Sequence, residues 1–201
     1  MKLLLISGCQ THAQELNKYP GVFEKLSKLG DEESKKLGKL LLSKEISKIF
    51  CSEDVSIIQT TDILEKLNAF EILLVPNLNK RTNFGELSGL DKNEASEKFP
   101  ELVAQIEDNP FFTSEIGEDY YLYTEKVINQ FNKILEKEIS FETESIAFIL
   151  NVETLQIIFR ELIGFEIRDV PNCAIFEIDF DGEAFEIIDI EKSVSIEPVF
   201  N

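Results

Sequence analysis

Residues 1–12 read MKLLLISGCQTH, and two readings compete for them. Ile6 to Cys9 look like the last three residues and the lipidated cysteine of a bacterial lipoprotein signal. The same letters also describe a buried strand running into a loop. A secretory signal needs a basic start, an apolar run of roughly 7 to 15 residues and a small-residue cleavage site, whereas the apolar run here extends only from Leu3 to Ile6. A short apolar run that ends in small and polar residues is instead what a strand buried on both faces looks like. Residues 2–7 are therefore expected as the first strand, with no leader before them.

Outward from that strand, apolar runs and helical spacings alternate. A polar loop through Tyr19 and Pro20 leads to DEESKKLGKLLLSKEI, where Leu37, Leu40 and Leu41 recur at helical spacing behind Asp31, Glu32 and Glu33, acidic residues that suit a helix N-terminus. SKIFCS reads as a second strand, EDVSIIQTTDILEKLN as a helix and FEILLVPN as a third strand stopped by Pro76. The middle holds a loop, NKRTNFGELSGL, and short helices near Asp91 to Phe99 and after Pro100. YYLYTEKVINQFNKILEKEI is an amphipathic helix with Val127, Ile128, Phe131, Ile134 and Leu135 on one face. ESIAFIL is a fourth strand, a helix follows over Val152 to Leu162, and two period-2 segments around Asp181-Gly182 make a terminal hairpin. Strands alternating with helices indicate a mostly parallel sheet covered on both faces, a three-layer α/β/α sandwich with an antiparallel edge.

Composition narrows the function classes. No Pro/Gly/Ser-rich linker divides the 201 residues, so 1–201 is expected as a single domain. The net charge of −18, from 38 acidic and 20 basic side chains, repels polyanions and argues against nucleic acid as a partner. No apolar run reaches the roughly 18 residues of a membrane span. Cys9, Cys51 and Cys173 lie far apart, in no metal-ligand spacing and with no disulfide framework, which points to a reducing cytoplasm. No P-loop or dinucleotide glycine motif occurs, so no cofactor and no metal are expected.

Several segments, in order, resemble the motifs of the histidine phosphatase superfamily, the phosphoglycerate-mutase-like enzymes. SGCQT at Ser7 to Thr11 stands where that family has R-H-G-E-T, LSKLGDEES at Leu26 to Ser34 where it has a helix motif like L-T-x-L-G-x-x-Q-A, and CSEDVSIIQT at Cys51 to Thr60 where it has S-S-x-x-x-R-x-x-Q-T. FGELSGL from Phe84 to Leu90 is similar to F-G-x-x-E-G, IGED from Ile116 to Asp119 to G-G-E-S, and LNVE from Leu150 to Glu153 falls on S-H-G-G; Asn172 and Cys173 match a late N-C pair. The resemblance spans nearly the whole chain and implies a phosphoglycerate-mutase-like fold.

It also implies what is missing. In the family one histidine carries the phosphoryl group, two arginines and a second histidine hold its oxygens, and an acidic residue protonates the leaving group. By the motifs quoted, those arginines fall on Ser7 and Ser56, the first histidine on Gly8, the second on Asn151, and the acid on or beside Lys80 and Arg81. Gly8 offers no nucleophile, serines contribute neutral hydroxyls where charged forks are needed, and Asn151 donates a hydrogen bond without relaying a proton. Candidate substitutes are Cys9, in the turn where the nucleophile belongs, and His12, the only histidine. Thr11, Lys80, Arg81, Glu86 and Asn151 are the candidate ligand-binding residues. The expectation is a catalytically degenerate member with a binding role toward a small anion or a protein, the alternative being a phosphomonoester hydrolase with a divergent mechanism. The apolar edge of the final hairpin offers a seam for a second copy of the chain.

Overall fold

The computed structural model describes residues 1–67, 70–82, 84–109, 111–192 and 194–199. Asn68, the last residue of the expected helix EDVSIIQTTDILEKLN, and Asn83, inside the expected middle loop, lie outside them. Its centre is β1 (Lys2–Ser7), whose residues Leu3 to Ile6 are fully buried. β1 pairs in parallel with β4 (Ser145–Leu150) on one side and antiparallel with β6 (Ile175–Phe180) on the other. With β2 (Lys48–Cys51), β3 (Glu71–Leu74) and β7 (Phe185–Ile190) this makes a six-stranded sheet in the order β3-β2-β4-β1-β6-β7. The β3-β2-β4-β1 part is parallel and the β6-β7 edge antiparallel.

Period-2 alternation in the central strands divides the core between two faces. Leu3, Leu5, Ile146, Phe148 and Phe176 pack with Val127, Phe131 and Leu135 of α6 (Tyr120–Ser140) and with Leu155 and Ile158 of α7 (Val152–Ile158). Leu4, Ile6, Ile49, Ala147 and Ile149 face Leu37 and Leu41 of α2 (Lys28–Leu41) and Ile57 and Leu64 of α3 (Val55–Leu67). Capping sets where the helices begin. Ser27, Asp119 and Asn151 each accept N–H bonds from the first turn of α2, α6 and α7, satisfying donors that the helix itself cannot. A smaller cluster of Tyr19, Leu87, Ala95 and Val103 gathers α4 (Lys92–Lys98) and α5 (Pro100–Asp108) beside this sandwich.

Three features differ from the expectations. The loop after β1 contains α1 (His12–Glu15), one turn closed by a reciprocal bond set between Thr11 and Gln14, too short to show any periodicity. The helix over Val152 to Leu162 is α-helical to Ile158 and then widens into a π turn, Phe159–Ile163, ended by Gly164 at φ 83°. β5 (Phe165–Arg168) and β8 (Ser195–Pro198) form a separate antiparallel pair.

Candidate functional site

The carboxyl ends of β1, β2 and β4 point to one side of the sheet, where open α/β sheets place their ligand sites. Ser7 is fully buried there. Its Oγ donates to Pro171 O at 2.7 Å and accepts from Ala174 N–H at 2.8 Å, so the hydroxyl ties β1 to the segment entering β6. Gly8 N–H donates to Leu150 O at 2.9 Å, which brings it beside Asn151. A Cβ built on Gly8 would lie 2.9 Å from Ile57 Cδ1. The neighbour of Ser56 therefore occupies the space a side chain at position 8 would enter, while Ser56 O accepts from Thr60 Oγ1 at 2.9 Å within α3.

Asn151 is the N-cap of α7. Its Oδ1 accepts from Thr154 N–H at 3.0 Å, and its Nδ2 donates to Asp54 Oδ2 at 3.3 Å. The same Asp54 oxygen accepts from Ser52 Oγ at 2.8 Å and from Lys80 N–H at 3.0 Å, so one carboxylate joins the ends of β2 and β4 to the loop after β3. Tyr123 of α6 shares a 2.7 Å hydrogen bond with Thr154 Oγ1, and burial raises its phenol above the usual range.

Lys80 and Arg81, candidates for anion binding, are both engaged internally. Lys80 Nζ donates to Gly21 O at 2.7 Å, and burial pushes its ammonium below its ordinary value against the pull of Asp54, Glu24 and Glu153. Arg81 is 2% exposed. Its Nε lies 3.0 Å from Glu153 Oε1, its Nη2 donates to Phe112 O at 3.2 Å, and its guanidinium sits 5.1 Å from the centre of the Tyr120 ring. Burial raises the Glu153 carboxyl, and Arg81 opposes that rise. Lys80 and Arg81 also line a cavity with Gly21, Thr82, Phe84 and Ser88 of about 20 Å³, room for about one water molecule and far below the roughly 300 Å³ at which small-molecule sites begin.

The remaining candidates separate into two groups. Thr11 caps α1, His12 is half exposed with Nδ1 3.1 Å from Glu15 Oε2, and Glu86 is exposed on the 3₁₀ turn Gly85–Leu87. Cys9 is 4% exposed, and its Sγ lies 2.8 Å from Cys173 Sγ. Hydrogen bonding from Cys173 holds the Cys9 thiol below its ordinary value, with Ser34 and Thr60 assisting against burial, and Cys9 in turn drives the Cys173 thiol upward. Reading along the chain missed Asp54, Glu153 and this thiol pair. Asp54 lies inside the quoted CSEDVSIIQT stretch, where an acidic residue at a helix start looks like an ordinary cap; the cysteines are 164 positions apart.

Against known proteins, a sequence model of the histidine phosphatase superfamily (branch 1) matches residues 12–192. A search of curated proteins finds no match. Among solved structures, the chain is similar to an alpha-ribazole phosphatase from Shigella flexneri, with TM-score 0.81, 19% identity and 96% of each chain covered. It is also similar to a mycobacterial glucosyl-3-phosphoglycerate phosphatase bound to VO3 (TM-score 0.77, 12% identity, covering 93% of this chain and 96% of that one). A phosphoglycerate mutase from Bacillus anthracis superposes with TM-score 0.71 at 16% identity, covering 94% of this chain and 91% of that one. At such identities the structural likenesses speak to the fold.

Proposed function

The chain belongs to the histidine phosphatase superfamily, and from that premise we infer that it keeps the family's fold without phosphohistidine chemistry and serves as a binding or interaction protein. The observation that carries this reading is Gly8 itself, which stands at the nucleophile position without a side chain, with Ile57 Cδ1 2.9 Å from where a Cβ would lie. Gly8 supplies no nucleophile, and a side chain there would have to displace the end of Ile57. The other positions support the same reading, because each is engaged in the scaffold: Ser7 on Pro171 and Ala174, and Asn151 as a helix cap bonded to Asp54. The two nearby cations add further support. Glu153 pairs with Arg81, and Lys80 is turned onto a backbone carbonyl, so both are engaged within the protein instead of being presented as a charged fork for a phosphoryl group. Exposed Val22 and Phe23, the latter 81% exposed, lie in the same stretch as Gly21 and favour a surface that contacts other molecules.

The test is turnover of a generic phosphomonoester by the purified chain, with thermal shifts in inorganic phosphate and vanadate alongside. The reading expects hydrolysis at the buffer rate and no stabilisation by either anion. Hydrolysis above that rate which disappears in His12→Ala or Cys9→Ser would replace it with a phosphatase of divergent mechanism.

A further inference from the structure

Cys9 leaves the end of β1, and Cys173 stands just before β6, the antiparallel neighbour of β1. Cys173 N–H donates to Gly8 O at 3.1 Å, and Ser7 N–H to Ala174 O at 3.0 Å; these bonds hold the two cysteines side by side. Glu33 reaches the same point from α2. One donor atom from each of Cys9, Glu33 and Cys173 lies within 4.8 Å of the others. Glu33 is itself positioned, since its Oε2 accepts from Gln10 N–H at 2.7 Å, the kind of outer bond that fixes a metal-ligating carboxylate.

The backbone of Cys173 supplies a separate observation. It has φ 54°, a left-handed conformation uncommon in a residue other than glycine. Glycine or asparagine would adopt it more readily. A disulfide would use only the two sulfurs. A cation uses all three groups, and it removes the repulsion that otherwise limits how many of these neighbouring acids are ionised.

We propose that Cys9, Cys173 and Glu33 form a site for a thiophilic divalent cation of the zinc class, with the fourth coordination position open to water or a ligand. Thiolate and carboxylate donors at zinc bond lengths of about 2.3 and 2.1 Å fit this cluster once the sulfurs part by about 1 Å. Binding displaces the thiol protons to solvent, one for each sulfur that enters as thiolate. Chain spacing concealed the set because its three donors come from the ends of the chain and from α2. The proposal is independent of the reading of the catalytic positions, and neither fails with the other.

The experiment titrates the reduced, metal-free full chain with Co²⁺, following thiolate-to-cobalt charge-transfer absorption in the near ultraviolet, and then measures Zn²⁺ affinity by competition with a chromophoric chelator. One equivalent is expected to bind. Cys173→Ser and Glu33→Gln should each weaken Zn²⁺ by about 10- to 100-fold, with Cys51→Ser as the control that leaves affinity unchanged. Cys51 is a plain buried thiol, pushed up to about 12 by burial. Because Cys9→Ser changes a buried position, the two partly exposed positions carry the test, with circular dichroism confirming that the variants fold. Absence of the charge-transfer band at one equivalent, or unchanged Zn²⁺ affinity in both Cys173→Ser and Glu33→Gln, would overturn the proposal.

Discussion

Ile57 fills the space into which a side chain at Gly8 would project, its Cδ1 lying 2.9 Å from the place of an added Cβ. A side chain at position 8 would therefore have to push the end of Ile57 aside. Gly8→His should cost about 1–3 kcal/mol, the usual penalty of overpacking a filled core, and should yield no phosphatase activity. Ile57→Ala alone leaves a cavity and costs roughly 2–5 kcal/mol. The double variant should be less destabilised than the sum of the two, because each change removes the problem the other creates. Urea unfolding of the four proteins measures the coupling; strict additivity would show that Ile57 does not occupy the site.

Gly30 makes the closest approach between α2 and the loop after β1. A Cβ there would stand 2.1 Å from Gln10 O. In the same contact Ser27 N–H donates to Gln10 O at 3.0 Å and Ser27 Oγ to Gln10 Oε1 at 2.7 Å. Replacing glycine by alanine within a helix ordinarily gains about 1 kcal/mol, but here backbone must move. Gly30→Ala should lose about 3 kcal/mol, the upper end of overpacking costs, whereas Ser27→Ala should lose about 1 kcal/mol with its cap. A more stable Gly30→Ala protein would refute the close approach.

The parts legible in the sequence are those encoded locally. Leu3 to Ile6 and Ile146 to Leu150 are buried on both faces, and that requirement writes unbroken apolar runs. The hairpin at Asp181 was legible for a similar reason: the aspartate side chain accepts from Glu183 and Ala184 N–H at 2.8 Å each, a turn made by neighbours. β5 and β8 pair across an interval containing two other strands, and no local pattern records such a partner. The same limit applies to the site. The order of motifs pointed to Ser7, Gly8, Ser56 and Asn151, yet what Ser7 does depends on Pro171 and Ala174 from the far end of the chain. Lys80 and Arg81 look solvent-facing in a polar loop until Tyr120 and Glu153, from distant helices, close over Arg81.

Asp54 is the joint of the candidate site, with Ser52, Lys80 and Asn151 all donating to its Oδ2. The Ser52 hydroxyl can rotate to another acceptor, but the Lys80 N–H is fixed by the backbone. Asp54→Ala should therefore cost about 1–3 kcal/mol, the penalty for stranding a buried donor. Asp54→Asn should recover part of the loss, since its amide oxygen still accepts. Chemical denaturation decides the matter: an alanine variant within about 0.5 kcal/mol of the parent would behave like a neutral surface change and would remove Asp54 from this role.

Glu177 sets a pH dependence of definite sign. It pairs with Lys2 at 2.9 Å and with Lys44, which also reaches Glu191. The bond from Lys44 is the main cause holding the Glu177 carboxyl below its usual value of 4.5, burial opposing it and Lys2 assisting. A carboxylate depressed in the folded state binds protons less readily there than in the unfolded chain. Its stabilisation is therefore present above about pH 4.5 and is lost as pH falls through the lower, folded value. In Glu177→Gln the carboxylate is gone, so stability at neutral pH should drop while the acid decline becomes shallower. The difference between parent and variant should shrink steadily below about pH 4.5. Lys44 adds an effect at the other end of the scale: its ammonium is raised by Glu177 and Glu191, so its contribution fades as pH climbs past its ordinary value. Unfolding midpoints measured across the acid range distinguish the outcomes. A parent-to-variant difference that stays constant with pH would mean that the Glu177 charge contributes nothing and that only its packing matters.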